Sequence, residues 1–371
     1  MTGGGGIGTV TVMTTTTDET LDPAAVEEFA GRIFGLLTGS MITYMIDLGH
    51  RTGLFDAVAE GPGTSDEIAD RAGLNERYVR EWLGAVVTGG IVEYDASTAT
   101  YRLPPVAAAC LSGTGPTNMA PFTRFSTLLG KYVEPVAVAF REGGGVPYAE
   151  YIPEFTGVMD ALGRGVYDGL LLDAYLPLAP GLVDRLRAGA RAADVACGTG
   201  HALVLLGRAF PASTFVGYDL DEGAIARARA EAAGLSNLTF EVCDVARLRV
   251  DEPFDAVFVF DAIHDQVDPS GVLERIYESL APGGVFLMKE PRVSSNLEEN
   301  VGNPFAPLLY ACSTLHCMTV SQAEGGAGLG TAFGEQLARR MLADAGFGDI
   351  AVHEAPGDPT DGVFVTSKPV K

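Results

Sequence analysis

The chain has 371 residues and a formal net charge of −23, and this length is typical of two domains. Apolar residues make up 47% of it and charged residues 20%, so a large buried core is expected. A surface this acidic repels phosphate backbones, which counts against non-specific nucleic-acid binding. No uninterrupted apolar run of about 18 residues is present, and the N-terminus lacks the pattern of a secretory signal. These features favour a cytoplasmic protein that does not associate with membranes.

Five cysteines are scattered along the chain, and none of them forms a CxxC pair. An odd, unpatterned set is typical of a reducing compartment and offers no metal framework. His316 and Cys317 are adjacent, but no further ligand stands at a spacing typical of a metal site. No metal site is therefore predicted.

The first third of the chain predicts a tail followed by a helical domain. Residues 1–21 are rich in glycine and threonine and are predicted to form a disordered tail. Residues 22–110 begin with apolar helices, after which Thr64 and Glu67 have the spacing of a capping box. Asn75 is placed to cap the next helix, and two short strands follow it. This order of helix, turn, helix and hairpin predicts a winged-helix domain.

In the remainder of the chain, the pattern of apolar and polar residues changes near residue 189. Residues 111–188 are helical in tendency but interrupted by prolines and glycines, and we interpret them as a linker and a helical cap. In residues 189–371, short apolar runs alternate with amphipathic stretches, which indicates βαβ units in an α/β fold with a parallel sheet. Five strands are predicted first, at Ala193–Cys197, Thr214–Leu220, Leu238–Val245, Ala256–Ile263 and Val285–Glu290. The last two, Ile350–Glu354 and Val363–Ser367, are joined too closely for a parallel crossover, so the last of seven strands is antiparallel.

The segment from Asp194 to His201 reads as a strand that runs into a glycine-rich turn before a helix. Gly198 and Gly200 permit a close backbone approach to a ligand, and a helix N-terminus offers free N–H groups to a carboxylate. Leu203 stands where the third glycine of the dinucleotide fingerprint belongs, which counts against NAD.

Three acids lie on successive predicted strands of the sheet. Asp194 belongs to the first strand, Asp219 ends the second and Asp244 ends the third, at the edge where ligands bind in open α/β sheets. There Asp219 is placed to accept two ribose hydroxyls, and Asp244 to accept an adenine amine. A single aspartate at a strand end is often a helix cap, but three in this order favour a ligand site.

From about residue 192 onward, the chain resembles the class I, Rossmann-like methyltransferases. Asp194-x-Ala196-x-Gly198-x-Gly200 resembles their first motif, with Ala196 in place of the first glycine, an exchange that is tolerated if the backbone does not need a positive φ. Phe254–Val257 resembles the start of their fourth strand, and Leu280–Gly284 the turn before their fifth. The resemblance implies that S-adenosylmethionine is the cofactor. The implied cofactor site comprises Asp194, Ala196, Cys197, Gly198, Gly200, Asp219, Leu220, Asp244, Val245 and Asp261.

A winged-helix N-terminal domain joined to this catalytic core is similar to small-molecule O-methyltransferases. Nearly the whole chain after Asp22 resembles a set of actinobacterial proteins that join a winged helix to a methyltransferase domain. In the O-methyltransferases, the N-terminal domain pairs two subunits and walls the substrate pocket. The resemblance thus implies a homodimer, formed through apolar helices that include Met41, Met45 and Ile46, and a small-molecule acceptor.

The same resemblance implies a catalytic base. Phenolic O-methyltransferases carry a His–Asp pair after the fourth strand, and His264-Asp265 is similar to it. Glu290 falls where those enzymes have an acidic residue that orients the histidine, whereas Gln266 replaces a tryptophan of the plant motif. A histidine here is able to take a proton from a hydroxyl. Two readings stay open beside it: His264 caps the following helix, or alignment alone suffices for methyl transfer.

Three further interpretations concern the rest of the molecule. The long stretch from Val293 to Thr331 is predicted to be a lid and substrate wall. The main functional alternative is a winged-helix regulator that senses S-adenosylmethionine or a metabolite. Against it, residues 75–82 carry two arginines balanced by two glutamates, which is not typical of a base-reading helix. A methyltransferase-like fold without catalysis is the second alternative, and the acids at the strand ends count against it.

Overall fold

The computed structural model describes residues 21–114 and 117–370. Residues 1–20 of the predicted tail lie outside the described residues, and the boundaries of the four predicted segments stay predictions. The helices of the N-terminal part are α1 (Pro23–Thr52), α2 (Leu54–Ala59), α3 (Ser65–Ala72), α4 (Glu76–Thr88) and α5 (Pro105–Leu111). The hairpin is formed by β1 (Glu93–Asp95) and β2 (Thr100–Arg102), which pair antiparallel.

The winged-helix prediction is confirmed by these elements. The side chain of Thr64 accepts from the Glu67 N–H while the Glu67 carboxylate accepts from the Thr64 N–H, so the capping box is present. Gly73 ends α3 in the left-handed conformation, and Asn75 caps α4 through the Arg77 N–H. Trp82 packs edge-on against Phe55 and donates to the backbone of α1, so this part has a core of its own.

Helix α1 is only partly packed. Its C-terminal third contacts the winged-helix core, where Met45 and Ile46 are half-buried. Most of the exposed apolar side chains lie nearer the N-terminus, and Met41 is one of them. By length and composition α1 meets the criterion for a membrane span, which core helices of soluble proteins also meet. The absence of a membrane association therefore stays a prediction.

A helical cap follows the winged-helix part in the sequence and precedes the sheet. It consists of α6 (Ala120–Leu129), α7 (Val133–Glu142), α8 (Glu154–Val166), a π-helical segment at Tyr167–Tyr175 and α9 (Leu182–Ala188). The sheet that follows is formed by β3 (Arg191–Val195), β4 (Thr214–Asp219), β5 (Leu238–Val242), β6 (Phe254–Phe260), β7 (Leu280–Pro291), β8 (Gly348–Glu354) and β9 (Asp361–Ser367). The remaining long helices are α10 (His201–Ala209), α11 (Glu222–Glu231), α12 (Pro269–Ser279) and, after a helical insertion, α16 (Gly334–Asp344).

The sheet has seven strands in the order β5-β4-β3-β6-β7-β9-β8. All neighbouring pairs are parallel except the two that involve β9, so the predicted antiparallel last strand is confirmed. Side chains alternate between the two faces, as Ala192 and Ala193 illustrate by joining different clusters. One face is covered by α9, α10 and α11 and the other by α12 and α16.

The stretch from Val293 to Thr331 is largely helical rather than an open loop. It contains α13 (Leu297–Asn300), α14 (Ala306–Cys312), a π-helical turn at Ser313–Cys317 and α15 (Met318–Ala323). An added Cβ at Gly145 would lie 1.8 Å from the Thr319 carbonyl oxygen, so the cap approaches this insertion backbone to backbone. The insertion also pairs with the loop after β6, since Ser321 Oγ donates to the Gln266 carbonyl at 2.9 Å.

Candidate active site

The glycine-rich turn lies at the carboxyl end of β3. Gly200 has a φ of +75°, and an added Cβ would lie 2.5 Å from the Phe240 ring, so this glycine is required by packing. Gly198 has a φ of +55°, and an added Cβ would meet nothing within 4 Å. The space beside Gly198 is therefore open, and the close approach of a ligand there stays a prediction.

Asp219 faces this turn from the end of β4. Its carboxylate accepts hydrogen bonds from the Gly198 N–H at 2.7 Å and from the Asp221 N–H at 2.9 Å. Burial raises its pKa above the usual value. Each oxygen accepts one backbone bond, and a carboxylate has about four acceptor positions in all, so the side chain is oriented yet able to accept further donors.

Ala196 differs from the expectation. Its φ is +62°, so this position does require the left-handed region, which costs a non-glycine residue about 1–2 kcal/mol. Asp261 has a φ of +55° and directly follows β6, the neighbour of β3. Two adjacent strands thus end in the same strained conformation, and such strain is often found at functional sites.

Asp244 also differs from the prediction. Strand β5 ends at Val242, so Asp244 lies beyond the strand rather than at its end. Its side chain accepts from the Ala246 N–H and pairs with Arg247 at 3.2 Å. It acts as the cap of a short turn, which leaves its other acceptor positions available.

The other predicted cofactor residues surround this edge of the sheet. Leu220 has 60% of its surface exposed, whereas Val245 is buried and Cys197 is half-buried. Asp194 is buried, and its Oδ1 finds no hydrogen-bond partner among the described residues. Burial, together with the charge of Asp219, raises the pKa of Asp194 well above its usual value.

Asp261 belongs to a buried ion group that the sequence analysis missed. Lys289 on β7 is 3% exposed and pairs with Asp261 and, at 2.6 Å, with Asp361. Burial lowers the pKa of Lys289, but the two carboxylates outweigh this effect and raise it well above its usual value. A lysine within an otherwise apolar strand was the available signal.

His264 and Glu290 are in direct contact. Strand β6 ends just before the loop that carries His264, and Glu290 lies near the end of the adjacent β7. The Nδ1 of His264 bonds to one carboxylate oxygen of Glu290, and the other accepts from the Ile263 N–H at 2.8 Å. Burial lowers the pKa of His264, but Glu290 and then Asp265 outweigh it, so the pKa is raised well above its usual value.

The Nε2 side of His264 faces its chain neighbour Asp265 and Cys317 of the insertion. It lies 3.3 Å from the Asp265 carboxylate and next to Cys317, whose sulfur accepts from Thr331 Oγ1 at 3.0 Å. His316 is fully buried, and burial lowers its pKa to about 4. Neither ring nitrogen of His316 has a hydrogen-bond partner in residues 21–114 or 117–370. The adjacent residues His316 and Cys317 were evident in the sequence, but their proximity to His264 and Asp265 was not.

Aromatic side chains of the cap connect this region with Asp219. Phe155 stacks on His316 with 3.7 Å between ring centroids, and the Tyr148 ring lies 6.2 Å from that of His316. Burial, followed by the charge of Asp219, raises the pKa of Tyr148 above its usual range. Thr156 beside it donates to the Asp221 carboxylate at 2.8 Å. The cap therefore contacts both the loop after β4, through Thr156, and the His316 side of the base region, through Phe155 and Tyr148.

Two family models match the chain. One, described as "Rv2258c-like winged HTH domain", matches residues 40–113. The other, described as "Methyltransferase domain", matches residues 186–346. The trans-aconitate 2-methyltransferase of Methylobacterium nodulans is 35% identical over 114 residues, which cover 31% of this chain and 42% of that protein. The chain thus spans less than half the length of this curated relative.

Solved structures match nearly the whole chain. Human N-acetylserotonin methyltransferase, in complex with SAM, has a TM-score of 0.68 at 18% identity and covers 95% of this chain and 99% of its own. Mitomycin 7-O-methyltransferase MmcR has a TM-score of 0.71 at 17% identity and covers 93% of this chain and 100% of its own. At these identities the likeness establishes the fold.

Proposed function

This chain belongs to the class I, S-adenosylmethionine-dependent methyltransferases with an N-terminal winged-helix domain, and we propose that it methylates a hydroxyl group of a small molecule. The observation that carries the proposal is the buried His264–Glu290 contact at the carboxyl ends of the parallel strands. The same side of the sheet carries Gly198, Gly200 and Asp219, at the ends of β3 and β4, which we call the glycine-rich edge. A histidine whose far nitrogen is held by a carboxylate has the arrangement of a general base.

The residues of the glycine-rich edge fit S-adenosylmethionine, which when bound supplies an electrophilic methyl group. The open space beside Gly198 and the unpartnered oxygen of Asp194 support this assignment. Asp219 would accept the ribose hydroxyls, with Leu220 beside it. Asp244 would accept the adenine amine, with Val245 nearby. The remaining proposed contacts come from Ala196, Cys197, Gly200 and Asp261.

His264 would remove the proton of the acceptor hydroxyl at its Nε2 when the ring is neutral. Because Glu290 and Asp265 outweigh burial and raise the pKa of His264 well above its usual value, the rate of methyl transfer is expected to rise with pH. Glu290 holds Nδ1 and thereby directs the Nε2 lone pair toward the site. The same carboxylate accepts from the Ile263 N–H, so it positions the backbone of the loop as well as the ring. We therefore assign Glu290 as the positioning residue and His264 as the base.

The charges near the site support a hydroxyl rather than a carboxylate acceptor. Besides burial, Asp219, Asp265 and Asp221 act on the pKa of Tyr148. Glu290 and Asp265 act on that of His264, so carboxylates are the main charges beside these side chains. An anion such as the trans-aconitate in the name of the bacterial relative would be repelled by such a site. A carboxylate is also ionised already at neutral pH and would need no base.

Calorimetric titration with S-adenosylmethionine and its demethylated product tests the cofactor assignment. One-site binding is expected, and Asp219→Ala is expected to weaken it about 10–100-fold, because a hydrogen bond to a charged group contributes about 1.5–3 kcal/mol. Asp251→Ala, at an exposed turn, removes the same charge and is the matched control. No binding to the wild-type protein at millimolar cofactor would refute the proposal.

Screening of hydroxyl-bearing acceptors then tests the base. His264→Ala is expected to lower kcat about 10²–10⁴-fold while cofactor binding is retained. An unchanged kcat would mean that alignment alone drives the reaction.

We also propose that the winged helix does not read DNA. Arg77 and Arg80 on α4 pair with Glu81 and Glu76, so their charges are largely neutralised. A gel shift with random DNA at low salt is expected to show no complex. A salt-sensitive complex would contradict this proposal and favour a winged-helix transcriptional regulator.

A second copy of the chain is the proposed partner of α1, in a cytoplasmic homodimer. Phe29, Ile33, Leu37 and Met41 follow one another at intervals of four residues and are each about half exposed or more, so they form one apolar stripe. Such a stripe is complementary to itself across a two-fold axis. The five free cysteines support a reducing compartment.

Sedimentation and liposome flotation separate a dimer from a membrane-bound helix. The wild-type protein is expected to sediment as a dimer and not to float. Leu37→Asp is expected to give monomer, whereas Val106→Asp, at an exposed position on α5, is expected to remain dimeric. A monomer that floats with liposomes would contradict the dimer and would mean that α1 binds a lipid bilayer.

A further inference from the structure

Four metal-ligating side chains meet beneath the cap. We call His264, Asp265, His316 and Cys317 the donor group. One ligand atom each of His264, Asp265 and Cys317 lies within 4.8 Å of the other two. His316 Nδ1 lies 4.0 Å from the second oxygen of Asp265. Imidazole nitrogen, carboxylate oxygen and thiolate sulfur are the ligand types that zinc prefers.

We propose that this donor group is a binding site for one divalent transition-metal cation, Zn²⁺. Tetrahedral zinc has bonds of about 2.0–2.3 Å, which place its ligand atoms roughly 3.3–3.8 Å apart. The donors of this site would therefore have to close by about 1 Å, which small side-chain rotations allow. Mg²⁺ and Ca²⁺ are disfavoured because they prefer oxygen ligands throughout.

Glu290 prepares His264 for this role. It binds Nδ1 of the ring and leaves Nε2 directed toward Asp265 and Cys317. Histidine ligands of metals commonly carry a carboxylate on the nitrogen away from the metal, which sets the tautomer and the ring orientation. Here the carboxylate is itself held by the Ile263 N–H.

His316 is the independent indication that a ligand is bound here. Its ring is fully buried and held by stacking on Phe155 and by the edge of Tyr151, at 3.7 and 4.6 Å between centroids. Within the described chain, both of its nitrogens are buried without a hydrogen-bond partner. A buried polar group left in this way costs about 1–3 kcal/mol, and a cation beside Asp265 would satisfy it.

Cation binding would displace the thiol proton of Cys317 and the Nε2 proton of His264 to solvent, and would form one metal–sulfur and one metal–nitrogen bond. Thr331 Oγ1, at 3.0 Å from the sulfur, is placed to donate to the resulting thiolate. The cation would occupy the same Nε2 lone pair that the base uses. The zinc-bound form is therefore expected to be inactive in methyl transfer, which makes the site inhibitory.

Titration of the metal-free full-length protein with Co²⁺ tests the proposal without any acceptor or cofactor. A single equivalent is expected to bind with a thiolate-to-cobalt absorption band in the near ultraviolet, and Zn²⁺ is expected to abolish the band. Cys317→Ser should remove the band and weaken binding more than about 100-fold, because outer-shell partners alone contribute about 10–100-fold. Cys312→Ser changes the other buried cysteine of the insertion and should retain the band.

His316→Phe is a second variant, in case Cys317→Ser does not fold. It keeps the stacking on Phe155, and it should retain the sulfur band while weakening Co²⁺ binding about tenfold or more. No band in the wild-type protein, or equal binding in Cys317→Ser through the acidic surface, overturns the proposal. Cofactor titration measures the methyltransferase proposal separately, so failure of one leaves the other standing.

Discussion

Two regions of the sheet hold their carboxylates in different ways. One is the glycine-rich edge at the ends of β3 and β4, and the other, which we call the base edge, lies at the ends of β6 and β7 and includes His264 and Glu290. Each has a non-glycine residue in the left-handed conformation directly after a central strand, Ala196 in one and Asp261 in the other. At the glycine-rich edge, backbone N–H groups orient the carboxylate of Asp219. At the base edge, Lys289 holds the carboxylate of Asp261, and the carboxylate of Glu290 is held by the His264 side chain as well as by the Ile263 N–H.

Because of this difference, the two edges are sensitive to different substitutions. A backbone N–H group is present whatever the side chain is, provided that the backbone has the right conformation. The glycine-rich edge therefore depends on its backbone conformation and on the space around it. Side-chain partners are buried charges, and the loss of one partner leaves the other uncompensated. The base edge therefore depends on charge balance.

The largest expected effect comes from removing the buried cation of the base edge. Lys289→Met leaves Asp261 and Asp361 without their common partner, and it is expected to lower the free energy of unfolding by about 3–5 kcal/mol. Urea denaturation near neutral pH measures it. Lys131→Met removes a solvent-exposed partner of Glu154 and should cost less than about 1 kcal/mol. Similar losses in both variants would mean that burial does not distinguish the pairs.

Two alanine substitutions test whether the glycine-rich edge depends on space. Gly200→Ala brings Cβ within 2.5 Å of Phe240 and is expected to destabilise by about 1–3 kcal/mol beyond the cost of its positive φ. Gly198→Ala has the φ cost of about 1–2 kcal/mol but no clash, and its methyl group enters the open space. It should therefore weaken cofactor binding more than Gly200→Ala does. Thermal unfolding and calorimetry give the two readouts, and the reverse order would contradict the assignment.

The two strained residues offer the sharpest contrast between the edges. Ala196→Gly relieves a strain of about 1–2 kcal/mol but costs about 0.5–1 kcal/mol in backbone entropy, so a stabilisation of up to about 1.5 kcal/mol is expected. Asp261→Gly relieves the same strain but takes a carboxylate from Lys289, and a net loss of stability is expected. Stabilisation of both variants in urea would show that the charge balance contributes little.

Local patterns explain what the sequence could predict. The capping box at Thr64, the strand that ends at Asp219 and the turn at Gly198 each depend on a few neighbouring residues. The contact between His264 and Glu290 was predicted through resemblance, and the fold brings the two side chains together because β6 and β7 are adjacent.

Long-range contacts explain what the sequence could not predict. Ala196 has a positive φ because hydrogen bonds from Cys197 to Tyr218 and from Gly198 to Asp219 hold the turn against β4, and no local propensity of alanine indicates this. The donor group depends on a π-helical turn that lies against the loop after β6. A helical insertion of this kind leaves no periodic signal that identifies its partner.

The smallest expected effect concerns the charges that tie the cap to the glycine-rich edge. Arg164 on α8 hydrogen-bonds Glu231, which also contacts His201 at the start of α10, and the Arg164 bond holds the pKa of Glu231 at about 2. Because this pKa lies below its value in the unfolded chain, the contribution to stability is complete above about pH 4.5 and is lost as the pH falls toward about 2.

Arg164→Met should therefore cost about 1 kcal/mol or less near pH 6, since the pair reaches solvent, and still less near pH 3. Denaturation of the wild type and the variant at both pH values measures the difference. Arg187→Met, which breaks an exposed pair with Asp184, should cost little at either pH. A cost of Arg164→Met that does not change with pH would mean that packing, and not charge, joins the cap to the glycine-rich edge. Charge balance would then distinguish the base edge alone, at Lys289 and at His264.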